Sequence, residues 1–416
     1  MKRISLSIIS LFFFLLSSIN LSAQWWDPVK NCVADVNGNC VSNTVLSALP
    51  FLRITPDARG GAMGDVGIAL APDANSLHFN AANLVFSKDQ SAIGLTYTPW
   101  LTNLNLDDIF LMYLSGYSKI DKIQAVGASV RYFSLGDVQF TDEFGTELSV
   151  GRPREIELAL AYSRKLGDRF SASLTGKYIY SNLATGQNVR GVDINSARSF
   201  AADLGINYRK PVTVSDYKGE FSFGAAVTNI GSKVSYTDNT RKEYIPTNMG
   251  IGSALKLDFD QYNSLTIGLD INKLLVPTPI ARKLINEDGE LVNNEECDKD
   301  GNGVCDYLEK NIFEAIFGSF SDAQGGFAEE IKEVNFGVGL EYWYDRQFAA
   351  RLGYYYEHPE KGNRRYFTVG AGVKYNVFGI NLSYLVPTSQ IPNPLDNTLR
   401  FSLLFDFSVF KADIEE

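Results

Sequence analysis

The sequence predicts an all-β fold: a 14-stranded antiparallel transmembrane β-barrel closed around an N-terminal plug. From Ser91 onward, apolar and polar residues alternate with the period of two that is typical of strands. Beyond the first residues, no stretch approaches the ~20 consecutive apolar residues of a membrane helix. A membrane-spanning structure therefore has to be a barrel. The linkers between predicted strands alternate between short and long, as turns and outer loops do in outer-membrane barrels.

An export signal begins the chain. Lys2 and Arg3 precede the apolar run 4–16, and the small pair Ser22-Ala23 follows it. This order predicts a secretory signal peptide over residues 1–23, cleaved after Ala23; an uncleaved anchor helix is the alternative, but the run is short for one. Losing this peptide makes the formal net charge of −10 more negative by two units. An acidic exported chain disfavours nucleic acid as a partner.

The cysteines form two closely spaced pairs. Cys32 and Cys40 are eight positions apart, as are Cys297 and Cys305. In an exported protein, this spacing favours two local disulfides over the alternative of catalytic thiols. Residues 24–88 are predicted to hold a disulfide-pinned N-terminal segment followed by the plug.

The predicted plug, from about residue 51 to 86, is rich in Gly, Ala, Asp, Asn and Pro and has neither helical nor strand periodicity. Its closely spaced glycines allow the backbone to turn tightly or to lie against other backbone. Its charged residues should pair with charges in the barrel lumen, because buried charges must be paired. The plug residues singled out are Asp57, Arg59, Gly64, Asp65 and Asn80. The candidate lumen charges are Glu155, Lys177, Asp203, Lys256, Arg351 and Arg400.

Residues 89–416 are predicted to form the barrel, with a long extracellular loop over 275–331. The polar face of the strands is rich in Gly, Ser, Thr and Asn, which suits a crowded lumen better than the Lys- and Glu-rich outer face of a soluble sandwich. An even number of strands places both termini on the periplasmic side. The strands are predicted near 91–99, 108–119, 123–134, 154–166, 169–182, 197–211, 217–230, 246–259, 263–274, 332–345, 347–358, 363–376, 378–387 and 397–410.

One motif in the long loop indicates a metal ion. Residues 298–309 fit the twelve-residue EF-hand loop, with oxygen-bearing side chains at positions 1, 3, 5, 9 and 12, Gly at position 6 and a backbone carbonyl at position 7. The predicted ligands are Asp298, Asp300, Asn302, Val304, Asp306 and Glu309. We expect a structural Ca²⁺ site; an acidic, solvated loop is the alternative. Residues 32–40 have similar spacing but lack the distant Glu.

Little in the sequence points to catalysis. The chain has two histidines, His78 and His358, and neither lies in a recognisable motif with a nucleophile. The run 60–64 is not a phosphate-binding loop, because it lacks the Lys-Ser/Thr pair. The sequence therefore predicts a protein that is not an enzyme.

Two motifs carry a family resemblance. PFLxIxPDARxxxMGD at 50–65 and PDANSLHFNAAN at 72–83 resemble the PorV family, outer-membrane barrels of the type IX secretion system of Bacteroidetes, related to FadL-type fatty-acid transporters. The resemblance covers roughly 50–410. It implies a non-enzymatic carrier that receives the C-terminal signal domains of cargo at the translocon, a giant barrel protein. The carrier then delivers the cargo to the sortase of the attachment complex.

The alternative function is a FadL-like transporter of hydrophobic small molecules. FadL relatives carry Asn-Pro-Ala where this chain has Asn80-Ala81-Ala82, which disfavours a FadL-like gate. A continuous apolar pocket under the plug would favour the transporter, whereas a packed lumen would favour the carrier. Outer-membrane lipid should surround the barrel, and the outer loops 100–106, 140–150, 285–327 and 386–395 are predicted to meet partners.

Overall fold

The computed structural model describes residues 25–27, 32–34, 44–101, 106, 108–141, 145–189, 191–238, 242–280, 283–285, 291–293, 295, 297–388 and 397–407. The predicted signal peptide, the predicted Cys32–Cys40 disulfide and the end of the last predicted strand at Phe410 lie outside the described residues.

Fourteen strands close into one barrel, which confirms the predicted fold class. The strands are β1 Ser91–Pro99, β2 Ile109–Lys119, β3 Gln124–Leu135, β4 Arg154–Lys165, β5 Phe170–Asn182, β6 Ala197–Val214, β7 Tyr217–Gly231, β8 Asn248–Asp258, β9 Asn263–Leu274, β10 Val334–Tyr344, β11 Phe348–Tyr356, β12 Arg365–Tyr375, β13 Phe378–Pro387 and β14 Leu399–Asp406. Each strand pairs antiparallel with its neighbours in sequence, and β14 closes on β1, with Phe401 opposite Tyr97. Short turns therefore collect at one end of the barrel and long loops at the other.

One turn differs from its prediction. The predicted strands 197–211 and 217–230 leave a turn of five residues between them, but β6 continues to Val214 and β7 begins at Tyr217. Pro211 is tolerated because the neighbouring strand β5 begins with Phe170 opposite Tyr208, so Pro211 lies beyond that strand's hydrogen bonds.

The remaining elements are short. The plug segment contains the 3₁₀ helices Pro50–Arg53 and Ala81–Phe86 and the helices α1, Ala58–Ala62, and α2, Ser76–Phe79. The long loop between β9 and β10 contains the 3₁₀ helix Asp306–Leu308 and the helices α3, Ile312–Gly318, and α4, Phe327–Lys332; a further 3₁₀ helix spans Pro359–Lys361. Small hairpins join Trp25–Asp27 to Cys32–Ala34, Val138–Thr141 to Glu147–Gly151, Asn188–Val189 to Val192–Asp193, and Lys283–Ile285 to Leu291–Asn293. Among the described helices, none is both long and apolar enough to cross a membrane.

The outer face of the barrel is apolar and has aromatic pairs near both ends. Leu160 is 72% exposed and Leu174 is 55% exposed, although each lies in the middle of a strand. Ring pairs near the long-loop end are Tyr97–Phe110, Tyr178–Phe200 and Phe336–Tyr356, and those near the short-turn end are Tyr217–Phe259, Tyr262–Tyr344 and Phe378–Phe405. This arrangement matches a lipid-facing band between two aromatic girdles.

The segment predicted as the plug lies inside the barrel and runs along its length. At the long-loop end, the backbone N–H of Ala48 donates to the carbonyl of Tyr244 at 2.8 Å. At the short-turn end, the Lys119 ammonium donates to the carbonyl of Ser87 at 2.9 Å. The described chain therefore enters the lumen at the long-loop end. The location of both termini at the short-turn end stays a prediction, because most residues ahead of position 44 lie outside the described ranges.

Glycines on the lumen side of the wall let the plug backbone approach closely. A Cβ atom added at Gly353 would lie 2.1 Å from the backbone N of Gly64, and one added at Gly339 would lie 2.5 Å from the carbonyl O of Met63. On other strands, Cβ atoms added at Gly252 and Gly268 would lie 2.7 and 2.8 Å from side-chain atoms of the plug. Plug and wall are thus in van der Waals contact on several sides of the barrel.

We expect the substitution Gly353→Ala to destabilise the protein. The new methyl group cannot fit without displacing the plug backbone, and overpacking of this kind costs about 1–3 kcal/mol. Gly176→Ala is the matched control, because a Cβ atom added at Gly176 would have no other atom within 4 Å. Thermal unfolding of the purified proteins in detergent, followed by heat-modifiable gel mobility, measures the difference. Equal midpoints for the two variants would contradict the close contact.

Candidate functional site

A buried ion cluster joins the plug to the barrel wall. The Arg59 guanidinium donates to both carboxylate oxygens of Glu341, at 2.8 and 2.9 Å. The same carboxylate accepts from Arg351 on the next strand at 2.7 Å, and Arg59 also pairs with Asp73 of the plug at 3.0 Å. Arg59 is thus paired as predicted, although Glu341 was not among the expected partners.

The other predicted plug residues organise the plug backbone. Asp57 caps α1, and its carboxylate accepts from the N–H of Gly60 at 2.8 Å. Gly64 has a φ of +71°, which favours glycine, and its N–H donates to the hydroxyl of Thr368 at 2.9 Å. The amide of Asn80 donates to the carbonyl of Ile206 at 2.9 Å. Wall and plug therefore satisfy each other's backbone groups.

Asp65 anchors the plug near the long-loop end. Its carboxylate accepts a hydrogen bond of 2.5 Å from the hydroxyl of Tyr366, not an ion pair with any of the predicted lumen charges. Above it, Glu357 binds Arg53 of the plug at 3.5 Å and Arg364 at 2.7 Å. Burial would raise the pKa of Glu357, but the Arg364 and Arg53 guanidiniums hold it below its usual range.

Several of the remaining lumen charges pair within the wall. Lys177 lies 2.8 Å from Asp203 and 3.6 Å from Glu157. Lys256 binds Asp258 at 2.9 Å, and Glu155 accepts from Ser181 at 2.8 Å. Arg400 alone among the predicted charges reaches the plug backbone through its side chain, donating to the carbonyl of Thr55 at 3.2 Å.

The lumen residues that hold the plug and were not predicted include Asp270 and Arg131. Asp270 accepts from the N–H groups of Gly67 and Ile68, at 2.7 and 2.9 Å. Arg131 donates to the carbonyls of Phe51 and Leu52, each at 3.0 Å. The alternation of the strands indicated that both side chains face the lumen, but alternation carries no information about which plug groups they meet.

Both histidines have structural partners. Nδ1 of His78 lies 2.7 Å from the Arg131 guanidinium and must accept from it, since arginine only donates. Nδ1 of His358 accepts from the N–H of Glu360 at 3.2 Å, and burial lowers the pKa of His358. Each ring nitrogen facing these donors therefore acts as an acceptor.

A small polar cavity lies between plug and wall. Its volume is about 100 Å³, and its lining includes Asp65, His78, Asn229 and Asp270. This is space for a few waters, whereas sites for small organic ligands measure ~300–1,000 Å³. A wider depression of about 620 Å³ at the short-turn end is lined by charged groups such as Arg209, Lys256 and Glu220.

The predicted calcium ligands come together in the long loop. Carboxylate oxygens of Asp298, Asp300 and Asp306 lie within 4.8 Å of one another. The N–H of Gly303 donates to one Asp298 oxygen at 2.7 Å, while the other Asp298 oxygen is buried with no hydrogen-bond partner. Glu309 is close by, accepting from the Asn302 amide at 2.9 Å. These oxygens suit a hard divalent cation.

The flanks of this loop are fixed. Cys297 and Cys305 form the disulfide predicted for them. After the loop, the 3₁₀ helix Asp306–Leu308 and α3 are separate, and the Asn311 side chain caps α3 by accepting from the N–H of Glu314. On the barrel side, Lys233 donates to the carbonyl of Leu308 at 2.7 Å and Tyr244 to that of Lys310 at 2.6 Å. The loop is thus bound to the linker between β7 and β8.

Comparisons with known proteins place these features in a family. A family model described as type IX secretion system protein PorV matches residues 37–281. No curated protein matches the chain. Solved structures with a similar fold include the Ralstonia pickettii toluene transporter TbuX, at 12% identity with 84% of this chain and 96% of that chain covered and a TM-score of 0.45. A Pseudomonas aeruginosa FadL homologue is similar at 11% identity, with 85% and 99% covered and a TM-score of 0.42.

We expect Glu341→Gln to loosen the plug strongly. Removing this carboxylate leaves the Arg59 and Arg351 guanidiniums buried without their shared partner, and breaking a buried ion pair costs about 3–5 kcal/mol. Asp258→Asn is the control, because the Lys256–Asp258 pair is 36% and 48% exposed and such pairs contribute about 0–1 kcal/mol. Protease sensitivity of the segment 50–86 and the thermal midpoint check this; equal losses in both variants would contradict it.

Proposed function

The chain belongs to the PorV family of type IX secretion system proteins, and on this premise we propose that it is a non-enzymatic carrier in the outer membrane. It binds the C-terminal signal domains of secreted cargo at the translocon, the giant barrel protein, and passes them to the sortase of the attachment complex. Its long-loop end faces outward and its short turns face the periplasm.

The tight attachment of the plug to the wall is the observation that supports a carrier most strongly. The plug is held by the Arg59–Glu341 pair, by Asp270 and by close glycine contacts. A plug fastened on several sides has to lose many buried contacts before a solute can pass. This favours work done on the outer surface over the alternative, a FadL-like transporter moving hydrophobic molecules through the barrel.

A surface for cargo is available on α3. Phe313 and Phe317 are 67% and 73% exposed and, being four residues apart, lie on one face of the helix. The opposite side is fixed, because Ala315 is buried in a cluster with Val45 and Tyr244. Two aromatic rings on a held helix provide a site for an apolar patch of a folded cargo domain.

We further propose that the long loop binds Ca²⁺. The ligands are the side chains of Asp298, Asp300, Asn302, Asp306 and Glu309 and the carbonyl of Val304. The buried Asp298 oxygen without a hydrogen-bond partner supports this assignment. The ion would supply no chemistry beyond neutralising these clustered carboxylates, and it would hold the loop that carries α3 in one shape.

We expect the double substitution of Phe313 and Phe317 by Ser to reduce the recovery of cargo several-fold. The measurement is affinity purification of the tagged protein from its native outer membrane, with the co-purifying chains quantified. Leu166→Ser is the control, since Leu166 is 63% exposed at the short-turn end. If the double variant recovers as much cargo as the wild-type protein, α3 is not part of the binding surface. A barrel recovered alone with fatty acid inside would instead favour the transporter.

We expect Glu309→Gln to weaken Ca²⁺ binding by roughly tenfold or more, because position 12 supplies a bidentate carboxylate. Glu295→Gln is the control, an exposed acid of the same loop outside the ligand set. Calorimetry gives the affinity, and Ca²⁺ should protect the wild-type protein from trypsin at Lys299 and Lys310. If calorimetry detects no Ca²⁺ binding and a chelator does not change the trypsin sensitivity, the calcium proposal is wrong.

A further inference from the structure

Helix α4 has its polar and apolar faces reversed relative to a helix on the surface of a soluble protein. Phe327 is 79% exposed and Ile331 is 56% exposed. Glu330 and Glu333, by contrast, are 6% and 5% exposed. The two apolar residues are four positions apart and therefore share one face.

Two lysines hold Glu330 of the helix and Glu333, which directly follows it. Lys273 lies 3.0 Å from Glu330 and 2.5 Å from Glu333. Lys361, in the loop after β11, lies 3.0 Å from Glu333 and 2.5 Å from Glu329. Both lysines are themselves buried. These four ion pairs fix which face of the helix turns toward the barrel.

The alternation of side chains along β9 indicates that α4 is held at the outer side of the barrel wall. Along β9, Leu269 and Ile271 point outward, and Lys273 continues that alternation. In the strand register, Lys273 lies opposite Val334 of β10. Two residues further along β10 is Phe336, whose ring stacks on that of Tyr356 with 5.0 Å between the centroids. Two strand residues correspond to about 7 Å along the strand. The ion pairs of α4 therefore lie just above the aromatic girdle at the long-loop end.

We propose that α4 is an interfacial anchor whose exposed face, Phe327 and Ile331, contacts lipid of the outer leaflet. Its apolar face continues the lipid-facing surface that ends at Phe336 and Tyr356. An apolar face turned outward with acids turned toward protein is costly in water but favourable at the membrane boundary. The long loop thereby gains a fixed contact with the bilayer beside the barrel.

Photocrosslinking in the native outer membrane tests this proposal. Benzoylphenylalanine replaces Phe327 in one variant and Phe313 in a matched control, and both sites fall in the single tryptic peptide 311–332. After irradiation, mass spectrometry of that peptide separates lipid adducts from protein adducts. We expect lipid adducts at position 327 to exceed those at 313 several-fold.

A protein adduct at 327, or no adduct, would overturn the anchor, the first by indicating a partner chain and the second by indicating exposure to water. Heat-modifiable gel mobility verifies that each variant is folded. Should the change at 327 prevent folding, the probe at Ile331 gives the same comparison, since it lies on the same face of α4.

Discussion

The bidentate contact between Arg59 and Glu341 gives a buried charge its partner. The same constraint applies throughout the contact between plug and wall, because charged and backbone polar groups removed from water need hydrogen-bond or ion-pair partners. The plug has little regular secondary structure, so many of its N–H and C=O groups lack partners within the plug itself. Wall side chains supply them: Asp270 accepts from two plug N–H groups, and Arg131 donates to two plug carbonyls. An unpaired group in this setting would cost far more than one at the surface.

This constraint explains why the wall carries small residues beside its charges. Polar side chains can reach the plug backbone only if the backbone comes near, and Gly339 and Gly353 leave that space. Close approach in turn excludes water and strengthens the ion pairs. The charged residues and the glycines that face the lumen therefore belong to one packing arrangement. Together with the plug they pack as the core of a soluble protein does.

The fold was predictable because its main signals are local. Alternation along each strand fixes which face is apolar, and the fixed positions of an EF-hand loop identified Asp298 through Glu309 as a group. Contacts distant in sequence were not predictable: the alternation along a strand can assign Glu341 to the lumen face, but it cannot indicate that Glu341 binds Arg59. The end at which the plug enters also depends on such contacts. A proline commonly ends a strand, but β6 continues past Pro211 to Val214, so the tertiary context decides here.

The same physical rule that shapes the barrel wall extends into the long loop. On the strands, apolar side chains turn outward and charges inward, and α4 repeats this with Phe327 outside and Glu330 inside. Helix α3 differs, because its buried side packs on apolar residues including Val45 and its exposed side is aromatic. One loop thus carries two apolar surfaces, that of α4 just above the aromatic girdle and that of α3 near the point where the chain enters the lumen. With α4 held by ion pairs and α3 packed on Val45 and Tyr244, the aromatic face of α3 keeps a fixed direction relative to the bilayer, which lowers the entropy lost when a partner binds.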